Sequence, residues 1–325
     1  MALSGIVLVT GGAGFIGSHI VDALLAHGAR VRVVDNLSTG HLRNLEAAKG
    51  KIEFIEGDLA DESVAHRAVD DVELVFHEAA LPSVQRSVSN PRETHLASVE
   101  ATFNLLLAAK EKRVRRVIYA ASSSAYGDQP TLPKIESMRP EPLSPYAAAK
   151  LVGEYYCQVF TRSYGLETVC LRYFNVFGPR QDPGSPYSGV ISQFVDRLLK
   201  GQRPIIYGDG EQTRDFTYVS NAVEANMLAA ESARGIGKVI NIANGEKVSI
   251  NELFQLVRQI LGRHDIEPDY QPARTGDILH SLADITNARE NLGFEPRIRL
   301  EEGLRLTVGS ASAGPAPNKI SGTSA

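Results

Sequence analysis

The chain has 325 residues, is 43% hydrophobic and 22% charged, and carries a formal net charge of −4. That balance fits a folded globular protein of about two domains at roughly 150 residues each, and it offers no basic surface for nucleic acid or an anionic membrane. Its two cysteines, Cys157 and Cys170, have neither metal-site spacing nor the makings of a disulfide framework, which fits a reducing cytoplasm, and the opening apolar run at residues 6–9 is too short for a signal core or a membrane span.

Along the first half, short β-branched runs at residues 5–10, 30–35, 52–56, 74–77 and 116–121 alternate with helical patterns such as 15–27 and 100–112. That alternation predicts a parallel sheet with crossover helices, a doubly wound α/β fold. In the second of those helices Thr102, Leu105, Leu106 and Ala109 share one face. A helix through Tyr146 to Tyr164 leads to a further strand at 167–173. From about Gly178 the character changes. Pro179, Pro183, Gly184, Pro186 and Gly189 break the chain, and no clean alternation resumes. Residues 1–178 therefore read as a first domain and 179–308 as a smaller, substrate-binding one, with a helix at 219–230 and a strand at 238–242 crossing back to the first sheet. The last stretch, 309–325, is rich in Ser, Ala, Gly and Pro and reads as a disordered tail.

Gly11-Gly12-Ala13-Gly14-Phe15-Ile16-Gly17 follows the first strand and opens the first helix. Here one glycine makes the tight turn, another lets a pyrophosphate approach the helix N-terminus, and a third allows helix and strand to pack closely. The pattern marks a Rossmann-type dinucleotide site. Asp35 ends the second strand, where a carboxylate either accepts from the adenosine ribose and repels a 2′-phosphate, selecting NAD, or caps a turn. Asp58 and Leu59 follow the third strand near the place of the adenine; Asp58 has the alternative of capping a helix. His77-Glu78-Ala79-Ala80 ends the fourth strand, where small side chains let a cofactor lie against the backbone.

Tyr146 and Lys150 stand one helical turn apart on one face. A phenol with a pKa near ~10 is a poor base at neutral pH, and a neighbouring ammonium favours its ionised form. Ser122, Ser123 and Ser124 end a strand on the carboxyl side, where ligands bind in such sheets. A hydroxyl there bridges a substrate oxygen and Tyr146; only one of the three serines is needed for that.

The motifs TGGAGFIGSHI, DNLSTG, YAASSSAYGD, SPYAAAK, RYFNVFGPRQ, YGDGEQTRDFTYV and RTGD together resemble the extended short-chain dehydrogenase/reductases, and among them the UDP-sugar 4-epimerases, over nearly everything from Ile6 to about Leu306. The resemblance implies a catalytic set of Ser122, Tyr146 and Lys150. It implies a retained NAD held by Gly11, Gly14, Phe15, Ile16, Gly17, Asp35, Asn36, Asp58, Leu59, Ala79 and Ala80 together with Tyr146 and Lys150. It implies a UDP-sugar held by Ser83, Ser123, Ser124, Asn175, Tyr207, Arg214, Arg274, Asp277 and Ser281, with Val84 and Arg86 in the same loop as Ser83. The two arginines are expected at the phosphates, Asp277 at the nucleotide ribose and Tyr207 near the uracil. Ser281 stands where family members restricted to non-acetylated hexoses carry a bulky tyrosine, so its small side chain implies room for a 2-acetamido group. A cytoplasmic homodimer, formed through the helices at 100–112 and 146–164, is a further expectation from the likeness.

Rivals share the fold. Nucleotide-sugar 4,6-dehydratases need an acid and a base where this chain has Ser123 and Ser124, and UDP-glucuronate decarboxylases carry a glutamate in that stretch. A UDP-glucuronate 4-epimerase stays open. A non-catalytic NAD-sensing regulator typically loses the tyrosine or the lysine, and both are present here.

Overall fold

The computed structural model describes residues 5–182, 189–273 and 278–312. Seven strands form its main sheet: β1 (Ile6–Thr10), β2 (Arg30–Asp35), β3 (Ile52–Glu56), β4 (Val72–His77), β5 (Arg116–Ser122), β6 (Glu167–Tyr173) and β7 (Val239–Ile242). Their order is β7-β6-β5-β4-β1-β2-β3, every neighbouring pair parallel. Val7, Leu8 and Val9 of β1 and Leu74, Val75 and Phe76 of β4 are fully buried. These unbroken apolar runs are what a parallel strand needs when helices cover both of its faces.

One face is covered by α1 (Phe15–Ala26) and by the helix at Val219–Glu231. The other is covered by α2 (Glu62–Ala68), α3 (Ala101–Glu111) and α4 (Pro145–Tyr164). Thr102, Leu105, Leu106 and Ala109, expected on one face of α3, are all buried. Helix α4 starts where its sequence dictates. Ser144 accepts from the Ala147 amide at 3.1 Å, Pro145 takes the first position, and Gly165 closes the far end in the left-handed region.

Beyond Phe177 the elements become short. The ladders Val176–Phe177 with Thr217–Tyr218, Thr213–Arg214 with Val248–Ser249 and Ile205–Tyr207 with Asp269–Gln271 each hold two or three residues per strand. They surround a separate apolar cluster built on Phe177, Phe194, Phe216, Leu253 and Phe254. The chain returns to the main sheet through α5 (Val219–Glu231) and β7 (Val239–Ile242). One expectation fails: a helix at Leu300–Ser312 carries the chain regularly past Gly309, because buried Leu300, Leu304, Thr307 and Val308 tie it to the second cluster. The rest of the expected tail lies outside the described residues. Among those residues no helix is long and apolar enough to cross a membrane.

Candidate active site

The strand order reverses between β1 and β4, and there the carboxyl ends of the strands open onto a cavity of about 930 Å³. Such a switch point is where open α/β sheets hold ligands, and the volume sits at the upper end of the roughly 300–1,000 Å³ of small-molecule sites. All expected site residues that fall within the described ones line it. Arg274 and Asp277 lie outside the described residues.

The cofactor side is shaped by backbone. Gly11 adopts φ +65°, and a Cβ there would come within 2.8 Å of the Ala79 backbone. A Cβ at Gly17 would collide with the Gly11 carbonyl oxygen, and one at Gly14 would stand 3.0 Å from it. Gly14 caps α1 without a side chain, leaving the first-turn amides open to an anion. This cradle, which any side chain would fill, fits a dinucleotide diphosphate. Asp35 is buried and caps the turn that follows β2. It lines the cavity, and it accepts from the Ala13 amide at 2.9 Å and the Leu37 amide at 2.8 Å. Burial raises its pKa while those two amides oppose the rise. Asn36 donates to Asp58 at 2.9 Å. Asp58 does not cap α2; it accepts from Ala60, and the cap is Asp61, three residues on, whose side chain accepts from Ser63. Leu59, Ala79 and Ala80 complete this wall. Beneath it, fully buried His77 contacts Thr10 at 2.7 Å and Thr102 at 2.9 Å, and burial lowers its pKa to about 3. The Thr102 hydroxyl donates to the Ser98 carbonyl at 2.5 Å, so it accepts from Nε2–H, and Nδ1 of the neutral imidazole accepts from the Thr10 hydroxyl.

At the meeting of β5 and α4 stand Ser122, Tyr146 and Lys150. The Ser122 oxygen accepts from the Ser124 hydroxyl at 2.8 Å and from the Ser124 amide at 3.2 Å. Its own proton is thereby left free to turn towards the Tyr146 phenol, whose pKa the Ser122 hydroxyl lowers. Of the three serines it is Ser122 that meets the tyrosine. Tyr146 also sits in the first turn of α4, where the helix dipole favours an anion. Lys150 does not do what the spacing led us to expect. Its Nζ donates to the Ala120 carbonyl at 2.7 Å and lies 5.1 Å from the Tyr119 ring centroid. Burial, with the charge of Glu78 behind it, holds the phenol above the usual tyrosine range. Burial likewise pulls Lys150 down and pushes Glu78 up.

The substrate side is shaped by side chains. Asn175, at φ +33°, donates to the Asp215 carbonyl at 3.0 Å. Arg214 donates to the Thr213 carbonyl at 2.9 Å, and Gln212 donates to the Tyr207 carbonyl at 2.7 Å. The Ser281 amide donates to the Thr213 carbonyl at 3.1 Å, which brings that serine beside Arg214. Ser83 caps the turn that carries Val84 and Arg86, and Arg86 pairs with Glu93. Fully buried Asp215 accepts the amides of Asn244, Gly245 and Ala283 at 3.0–3.2 Å. Burial pushes its carboxyl up to about 7, against those amides.

Sequence reasoning passed over Glu78, Asp215 and the segment at 179–182. Arg180 of that segment pairs with Asp22 of α1 at 2.6 Å, and Asp182 meets His41 at 3.3 Å, so the segment is tied to the cofactor side of the cavity. Glu78 stood in a motif already singled out. Its signal was a carboxylate at a strand's carboxyl end beside two alanines.

A family model described as the NAD dependent epimerase/dehydratase family matches residues 7–243. A putative UDP-glucose 4-epimerase of Methanocaldococcus jannaschii is 41% identical over 93% of this chain and 97% of its own. Among solved structures, the UDP-N-acetylglucosamine 4-epimerase of Methanobrevibacter ruminantium, in complex with UDP-N-acetylmuramic acid, is 45% identical. It has a TM-score of 0.91 and covers 95% of this chain and 98% of its own. The UDP-glucose 4-epimerase of Thermus thermophilus, in complex with NAD, is 38% identical, with a TM-score of 0.87, covering 95% and 99%.

Proposed function

The chain belongs to the NAD-dependent epimerase/dehydratase family, and we propose that it inverts C4 of a UDP-linked hexose, N-acetylated hexoses included, by transient oxidation to the 4-keto sugar. The observation that carries this reading is that Ser122, Tyr146 and Lys150 line the same cavity as the glycine cradle.

Gly11, Gly14 and Gly17 would admit the diphosphate of NAD to the α1 amides, and Asp35 and Asn36 would take its adenosine ribose. When bound, NAD supplies a hydride acceptor and donor at one carbon. The rest falls to the chain. Tyr146, steadied by Ser122, removes the proton of the sugar 4-hydroxyl and later returns it. Lys150 would hydrogen-bond the nicotinamide ribose. Arg214, with Arg274, meets the UDP phosphates; Asn175, Ser83, Ser123 and Ser124 face the sugar; Tyr207 and Asp277 take uracil and ribose. Buried Ser281, small and cavity-lining, leaves width for an acetamido group. The hydroxyls at Ser123 and Ser124 are no carriers for the proton traffic of a dehydration, which favours epimerisation. We also propose a cytoplasmic homodimer: Tyr155, Val159 and Tyr164 leave apolar surface exposed on α4, and both cysteines are free and buried.

The test is product stereochemistry with UDP-N-acetylglucosamine, UDP-glucose and UDP-glucuronate. Conversion of the first to its C4 epimer is expected, and total inactivity toward it contradicts the proposal. Tyr146→Phe is expected to keep NAD while turnover falls by about a thousandfold; near-normal turnover refutes its assignment as base.

A further inference from the structure

The chain that leaves the substrate side at Phe177 is fastened to the cofactor side at three places, and no step of the proposed reaction uses those fastenings. The first is Pro179, whose carbonyl accepts from Nε2–H of His19 at 3.0 Å. The second is Arg180, whose guanidinium donates to Asp22 at 2.6 Å. His19 and Asp22 both stand on α1, the helix that the glycine turn opens. The third is Asp182, which meets His41 Nε2 at 3.3 Å. His41 is itself anchored in the glycine turn, because its amide donates to the Ala13 carbonyl at 2.9 Å. Arg180, Gln181 and Asp182 line the cavity together with Gly11, Gly14 and Gly17.

Immediately upstream the same chain belongs to the substrate side. Asn175 donates to the Asp215 carbonyl, Val176–Phe177 pairs with Thr217–Tyr218, and Phe177 is buried in the second apolar cluster. The join between the two sides carries local costs. Arg180 sits at φ +67°, in the left-handed region that side chains of its kind rarely adopt. Its Nη1 is buried without a hydrogen-bond partner among the described residues. Such costs persist where surrounding contacts over-determine a conformation, and ligand clamps are one of the places where they gather. Both ion pairs are part-exposed, so neither adds much to the stability of the fold. What they fix is where the segment lies.

We propose that residues 179–182 are a clasp that retains the dinucleotide, with Arg180 and Asp182 as its positioning residues. Their pairs draw the segment onto α1 and onto the loop at His41, and a dinucleotide seated on the glycine turn leaves more slowly while those pairs are closed. Retention serves the reaction, because the hydride taken from the sugar has to be given back by the cofactor that received it. This inference rests on the reading of a cofactor kept through turnover.

The test is the rate at which bound NAD leaves the full-length holoprotein. Protein loaded with radiolabelled NAD is mixed with excess unlabelled NAD, and the label remaining on the protein is counted over time. Arg180→Gln is expected to release the label about fivefold faster than the parent, the effect of one part-exposed ion pair, and Asp182→Asn to do so by less. Exchanging the charges, with Asp22→Arg and Arg180→Asp together, rebuilds the contact and should return release to within about twofold of the parent. Aspartate is also among the residues that the left-handed backbone at position 180 accepts. Parental release rates in both single variants overturn the proposal. So does fast release that the exchanged pair leaves uncorrected, or that follows a lowered urea midpoint, since the pair would then hold the fold and not the cofactor. A parent protein that binds no NAD contradicts instead the reading on which the clasp rests. The two failures are distinguishable, because one appears in the parent and the other only in the variants.

Discussion

The two ends of the cavity are built by different means. At the cofactor end the walls are backbone: three glycines in a seven-residue turn, each positioned where a Cβ meets main-chain atoms at 3.0 Å or closer. At the substrate end they are side chains on ladders of two or three residues, held in place by buried Asp215. A backbone wall tolerates almost no substitution, so it writes itself into the sequence as glycine spacing. A side-chain wall can be reset by one residue, which suits an end that decides which sugar enters.

That comparison can be broken by substitution. Gly17→Val drives a branched side chain into the Gly11 carbonyl. It is expected to abolish dinucleotide retention, read as NAD content of the purified protein, and to lower stability by about 3 kcal/mol, the upper part of the overpacking range. Retained NAD would show that the turn yields more than its geometry suggests. Asp215→Ala orphans three amides. At about 1–3 kcal/mol for each unmatched buried group, with partial relaxation, urea denaturation should show a loss of about 3 kcal/mol. NAD content should stay near normal, because the damage falls on the substrate end. Ser281→Tyr is the mildest. It should leave folding alone and lower kcat/KM for UDP-N-acetylglucosamine relative to UDP-glucose by about 10–100-fold. An unchanged ratio would remove Ser281 from the specificity wall.

How much was legible follows the same division. Strand β6 at 167–173 and the α4 pair Tyr146 and Lys150 could be read from pattern and spacing, because parallel strands need apolar runs and the helix is fixed by Ser144, Pro145 and Gly165. Gly11, Gly14 and Gly17 could be read because only glycine fits. Tyr207, Arg214 and Ser281 had no such local signal and came through resemblance. Their places depend on the ladder at 213–214 and on Asp215, contacts more than 25 residues apart in sequence that no periodicity reports. The direction of Lys150 was misjudged for a physical reason: a spacing of four residues sets which face a side chain leaves from, and the Ala120 carbonyl decided where its ammonium ends. Glu78 was visible as a residue but not as a neighbour, since its partners Tyr173 and Asn226 arrive from β6 and α5.

The claim on which all this depends is that one hydrogen leaves C4 of the sugar and the same hydrogen returns to its other face. UDP-N-acetylglucosamine carrying deuterium at C4, turned over in ordinary water, measures it directly. The account predicts the C4 epimer with the deuterium still on C4. Loss of the label to solvent, with the epimer formed, would mean that C4 is deprotonated rather than oxidised and would contradict it.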